Sequence, residues 1–133
     1  MEDLAARLDA HAAWVRSVGR EGARLEALDA AFEGLDLSGA VLGGAVLGGA
    51  RFVRCRMAGC DMGGAVLASA RFEDCDLTGA GLVKADLDHA TFERCVLAGA
   101  DLFRASLVEA VFRASDPSGA RLEGACREGM RIE

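Results

Sequence analysis

A chain of 133 residues and 13.8 kDa has room for one domain. Its formal charge of −6 and pI near 4.9 leave no basic excess to release counterions, which argues against direct nucleic-acid binding and leaves solubility or a basic partner surface as the meaning of the charge. Hydrophobic residues reach 52%, yet much of that is Ala, with 17 Gly, 1 Pro and no Tyr, so the scarce large side chains belong at fixed places in a narrow, regular interior.

Met1-Glu2-Asp3-Leu4 is not a basic segment leading into an apolar run, and no stretch approaches the ~18 uninterrupted apolar residues of a membrane span. A cytoplasmic protein without signal peptide or membrane segment is expected. Leu4, Leu8, Ala12, Val15 and Val18 recur at helical spacing, with Trp14 beside them and Gly19 after, which predicts a helix from about Asp3 to Val18. His11 falls on this stripe and is assigned to its packing.

From Ala30 the period is five. Residues 30–129 divide into 20 pentads without insertion or deletion, and 18 of the 20 central residues are Leu, Phe or Met, the exceptions being Pro117 and Arg127. Two residues before the centre stands Ala or Cys in 18 of 20, the exceptions being Leu35 and Ser115. The one-residue gap between small and large puts both on one side of an extended segment. Gly fills the last position in 11 of 20 pentads, where a chain that turns every five residues profits from the lack of a Cβ. A helix would spiral these centres around its surface, and an unbroken strand would send successive centres to opposite faces. Each pentad is therefore one short side and one corner.

A second period counts the sides. Phe32, Phe52, Phe72, Phe92 and Phe112 lie 20 residues apart, as do Cys55, Cys75 and Cys95, so four pentads make a coil. Stacking at about 4.8 Å gives a Phe ladder beside a Cys ladder in five coils about 24 Å tall.

Runs such as Ala30-Ala-Phe-Glu-Gly34, Cys75-Asp-Leu-Thr-Gly79 and Ala100-Asp-Leu-Phe-Arg104 resemble the A(D/N)LxG unit of the pentapeptide-repeat family, over about three quarters of the chain. The resemblance implies an all-β solenoid, a right-handed quadrilateral β-helix with the centre and the small residue pointing inward. With the predicted helix, the expected organisation is a capping segment over 1–29 and a β-helix over 30–133. Covering the first coil is the task expected of the helix, since an open solenoid end exposes apolar interior and unpaired backbone. His11-Ala-Ala-Trp14 through Gly19-Arg-Glu-Gly22 also resembles a leader found in several bacterial members. At the other end Ser115 and Pro117 break one pentad and Arg127 takes an inward centre. Either such residues deter strand addition, the favoured alternative, or this end meets another chain.

Candidate chemistry is thin. The odd number of cysteines, with no CxxC pair, argues against a disulfide framework or a structural zinc site. The Cys55, Cys75, Cys95 ladder and Cys60 are assigned to the core as small buried hydrophobes, and Cys126 to the surface. His89 with Asp86, Asp88 and Glu109 would fix neither ligand number nor geometry for a metal. No nucleophile has a base beside it, so no catalytic residues, metal or cofactor are expected. Gly43 to Gly49 lacks the helix and the Lys-Ser/Thr of a phosphate loop. Outward positions on two adjacent sides include Val41, Val46, Val66, Val83, Phe103 and Val108. The Phe side instead bears Arg51, Arg54, Arg71, Glu73, Asp74, Glu93, Arg94 and Arg113, giving an apolar half and a charged half. Val83, Phe103 and Val108 form a candidate interaction patch.

Two functions remain in view besides an enzyme or small-molecule site, which the filled interior disfavours. One is a non-enzymatic interaction or scaffold module that binds a partner protein, a second copy of itself included, with no nucleic acid and no membrane. The other is implied by the resemblance: DNA mimicry directed at DNA gyrase or another topoisomerase, as in acidic quinolone-resistance proteins. Against it stand the absence of a C-terminal helix, the uninterrupted coils, and acidic residues interspersed with arginines.

Overall fold

A computed structural model describes residues 3–133; Met1 and Glu2, which belong to the chain start read as no signal peptide, lie outside the described residues. Helix α1 spans Leu4–Arg16. Asp3 caps it by accepting the Ala6 N–H on Oδ1 at 2.8 Å. At its far end Gly19 N–H donates to Trp14 C=O at 2.8 Å and Val18 N–H to Val15 C=O at 3.2 Å, the paired bonds of a Schellman ending. Val18 therefore sits at the left-handed position, φ +56°, and is 89% exposed, off the apolar stripe to which its spacing assigned it. A β-branched residue is strained there, so Val18→Gly should stabilise the end of α1 by about 1 kcal/mol, read as slower amide exchange in the last helical turn.

The strands are β1 Ala31–Glu33, β2 Arg51–Val53, β3 Arg71–Glu73, β4 Thr91–Glu93, β5 Val111–Arg113 and β6 Arg131–Ile132, in one parallel sheet ordered as in the sequence. Every register pairs residues 20 apart, Phe32 with Phe52 and onward to Phe112 with Ile132. Single bridges with the same offset, such as Asp36 with Arg56, Val41 with Asp61 and Val46 with Val66, stack the other three sides. The result is a four-sided parallel β-solenoid of about five turns with an N-terminal helix. Phe52, Phe72, Phe92 and Phe112 are fully buried and stack at centroid separations of 4.9, 4.8 and 4.7 Å, nearly parallel.

The corners explain the cysteines. On the second, third and fourth sides the corner closes with a backbone bond three residues long, for example Ala80 N–H to Leu77 C=O at 3.0 Å. After each Phe that bond is missing, which would orphan a buried N–H. At the top rung the next coil supplies the acceptor, Ser115 Oγ, which takes Cys95 N–H at 2.8 Å. The thiols in turn donate to the carbonyls of Phe32, Phe52 and Phe72 at 3.4, 3.3 and 3.2 Å. The ladder cysteines lie in the hydrophobic core, as their small inward position predicts, and their thiols also bond the carbonyls of the preceding coil. Burial pushes the Cys60 thiol up to about 12 and raises Cys55, and the neighbouring Cys95 thiol together with burial raises Cys75. These three thiols remain protonated at neutral pH.

Ser115 corrects the expectation of a broken pentad. It is the fourth rung: its Oγ accepts Cys95 N–H at 2.8 Å and bonds Phe92 C=O at 3.1 Å. Serine here supplies both a donor and an acceptor in the space that cysteine fills on the lower rungs. Pro117 is also buried, at the centre of its pentad, in a 3₁₀ turn over Pro117–Gly119. Cys75→Ser, which keeps a donor at that position, should cost less than Cys75→Ala, which removes the thiol's bond to Phe52 C=O and should cost about 0.5–1.5 kcal/mol more. Denaturant midpoints that place Ala level with wild type would contradict this role.

Pairing starts ahead of Ala30. Glu26 bridges Val46, Ala27 N–H donates to Val46 C=O at 2.9 Å, and Leu25 is buried. That side inverts the size pattern, large at the small position and Ala at the centre, which hides it from the pentad count. In the last coil of the described residues Arg127 is exposed and Leu122 and Met130 are half-buried.

Candidate interaction surface

The outward residues are set by position within the pentad. The residue before each centre is often Asp, whose Oδ1 takes the N–H two residues on: Asp36 from Ser38, Asp61 from Gly63, Asp76 from Thr78, Asp101 from Phe103 and Asp116 from Ser118, at 2.9–3.0 Å. Bonds to Ser38 and Thr78 hold the Asp36 and Asp76 carboxyls below the usual range. These aspartates shape corners, and their charge is already engaged.

The Phe side carries crossed ion pairs between neighbouring rungs. Arg51 bonds Glu73 at 2.8 Å, Arg94 bonds Asp74 at 2.8 Å, Arg113 bonds Glu133 at 3.2 Å, and Arg54 pairs with Glu33. Asp74 is held low and Arg94 high by their mutual bond. Exposed pairs of this kind add little to stability, but they leave this side charge-neutralised.

On the third side the residue after each centre runs Gly43, Gly63, Val83, Phe103, Glu123, and the next runs Gly44, Gly64, Lys84, Arg104, Gly124. Val83 and Phe103 are consecutive rungs of one row and are half-buried. The Arg121 and Arg104 guanidinium carbons lie 4.3 and 5.2 Å from the Phe103 ring centroid. Val108 lies round the corner on the fourth side and is also half-buried. The structure thus brings two of the three candidate residues onto one face and the third beside them.

The division into apolar and charged halves does not hold. The fourth side carries Val46, Val66 and Val108, but also Asp86, Asp88, Glu109 and Glu128, with Glu26 and Asp29 at its base. Position in the pentad fixes direction, and the residue type there changes from coil to coil. Asp88 accepts Val108 N–H at 3.1 Å and a bond from Ser106 Oγ. Among the described residues no group of three or more His, Cys, Asp or Glu is placed to hold a metal ion. His11 is buried, with Nδ1 accepting Leu25 N–H at 2.8 Å and Nε2 facing Gly43 C=O at 2.7 Å. Those partners assign it as the neutral tautomer protonated on Nε2, pinning α1 to the first coil. Among the described residues no helix is long and apolar enough to cross a membrane.

Stacked four-sided coils with an outward surface that varies rung by rung define a β-solenoid repeat protein. The family profile described as "Pentapeptide repeat region" matches residues 26–102, and that described as "Pentapeptide repeats (8 copies)" matches 95–126. The chain belongs to the pentapeptide repeat family. No curated protein matches it. Among solved structures, full-length QnrB1, a plasmid-mediated fluoroquinolone resistance protein, is 21% identical with a TM-score of 0.50, over 80% of this chain and 70% of its own. A pentapeptide repeat protein (Rfr23) from the cyanobacterium Cyanothece 51142 is 24% identical with a TM-score of 0.40, over 81% of this chain. A thylakoid-lumen pentapeptide repeat protein of Arabidopsis thaliana is 22% identical with a TM-score of 0.44, over 73% of this chain and 61% of its own. The chain spans 60% of the length of the Cyanothece protein. The QnrB1 likeness bears on the fold alone.

Proposed function

We propose that this chain is a non-enzymatic interaction module, a rigid rod that presents the Val83 and Phe103 surface to a partner protein, with Val108 at its margin. The observation that carries this is the replacement of Gly43 and Gly63 in the lower coils by Val83 and Phe103 in the next two, which adds apolar area to a row that otherwise minimises it. Family membership supports the reading, as does an interior occupied by its own buried Phe, Leu and Met side chains. Phe103→Glu should abolish association, with a partner or a second copy, while changing stability by less than about 0.5 kcal/mol as an outward substitution does. Light scattering and binding measurements that do not distinguish the variant from wild type would remove this surface from consideration.

One observation favours a second reading, mimicry of DNA before a topoisomerase: Asp86, Asp88, Glu109 and Glu128 share the fourth side. Two uncharged coil segments, Val46 to Gly49 and Val66 to Ser69, separate them from Glu26 and Asp29, so the negative charge is a cluster rather than a stripe. A supercoiling assay in which the protein neither inhibits gyrase nor protects it from a quinolone would eliminate this reading.

A further inference from the structure

Lys84 and Arg104 flank the apolar row on the two coils that carry it. Both adopt left-handed backbone, φ +58° and +56°, at a position filled by Gly44, Gly64 and Gly124 in the other coils of that side. Glycine would relieve that strain, so these cations are held at a cost. Both are exposed, and among the described residues neither has a carboxylate within salt-bridge distance, in contrast to the arginines of the Phe side. Arg121 joins Arg104 over Phe103, and its contacts to Asp101 and Glu123 are loose, each 3.7 Å. Gly124 makes room for this arrangement, since a Cβ there would stand 2.9 Å from Arg104 Cγ. An aromatic ring with two guanidiniums over it and Lys84 one rung below, Lys84 and Arg104 without an internal counter-ion, is thus presented by a chain whose net charge is −6.

Resting on the reading of this surface as a protein interface, the geometry points to its partner: an acidic segment of another protein. An aliphatic or aromatic side chain of that segment packs on Val83 and the Phe103 ring, and its carboxylates take Lys84, Arg104 and Arg121. Nucleic acid is the competing polyanion. Asp101 and Glu123 on the same side, and Asp86 and Asp88 round the corner, oppose a continuous phosphate chain more than one or two carboxylates beside an apolar anchor.

The test uses three fluorescein-labelled heptapeptide pools with a central Phe, Trp or Leu, flanked by Asp and Glu, by Asn and Gln, or by Lys and Arg, together with a labelled oligothymidylate. Anisotropy is read against wild type, Phe103→Glu and the double variant K84G/R104G. Glycine suits both backbone positions, so the double variant keeps or gains thermal stability and reports the loss of the two cations, including the Arg104 contact with the Phe103 ring. The expected result is binding of the acidic pool only, weakened about ten-fold or more in K84G/R104G and by added salt. A preference for the neutral or basic pool that Phe103→Glu abolishes would overturn the acidic chemistry and leave the interface reading standing. Retention of the oligothymidylate in place of the acidic peptides would overturn it in favour of nucleic acid. Binding of no pool would also overturn it, and the interface reading would then stand or fall by its own light-scattering test.

Discussion

Phe72→Ala should lower the unfolding free energy by about 3–5 kcal/mol, the upper range for a buried aromatic. The ring is fully buried and packs between Phe52 and Phe92 at 4.9 and 4.8 Å. Truncation opens one cavity and removes two stacking contacts from the middle of the rod, where the shape of neighbouring coils is fixed by strands β2 to β4 and cannot collapse inward. Because each coil touches only its neighbours, the effect should divide the rod and make its unfolding less cooperative. Phe72→Leu should cost less than about 1.5 kcal/mol, since Leu holds the centre on most other sides and the volume change is small. Calorimetric profiles of the two variants check both statements.

Gly22→Ala should undock α1. A Cβ at Gly22 would lie 2.1 Å from Ala10 C=O and 2.8 Å from Trp14 N, both backbone atoms, and φ there is +71°. The clash can be relieved only by moving the helix. Movement breaks the two His11 bonds and lifts Trp14 from Gly44, where a Cβ would sit 3.4 Å from the indole. Each buried group left unpaired costs about 1–3 kcal/mol, so losing both His11 contacts sets the scale. Weaker helical circular dichroism and a red-shifted Trp14 emission are the expected signals, with the upper coils still folded. Unchanged spectra would mean that the helix is not held as described.

The periodic part of this protein was legible because the same steric requirement recurs at every rung. A large centre and a small partner identify the side, and Phe and Cys recurring after 20 residues identify the four-sided coil. What was hidden lies where one physical need is met by a different residue. Leu25 and Ala27 fill a side with the sizes exchanged, so the count began a pentad late. Ser115 departs from the Ala or Cys of the other small positions, yet its hydroxyl is buried and paired with Cys95 N–H and Phe92 C=O, a role that residue size alone does not reveal. Val18 followed the helical spacing but fell beyond the end of the helix, which the Schellman bonds set. The candidate surface was visible in part: Val83 and Phe103 could be placed outward from the pentad. The convergence of Arg104 and Arg121 on the Phe103 ring depends on side-chain paths that no periodicity encodes.

The register that stacks Val83 under Phe103 also stacks the phenylalanines, so the aromatic ladder tests the whole arrangement. A nuclear Overhauser spectrum of protein labelled at Phe should give ring-to-ring cross-peaks for Phe52 with Phe72, Phe72 with Phe92 and Phe92 with Phe112, whose centroids are 4.9, 4.8 and 4.7 Å apart. It should give none between Phe52 and Phe92. Missing neighbour peaks, or peaks that skip a rung, would contradict the 20-residue coil and with it the surface built upon it.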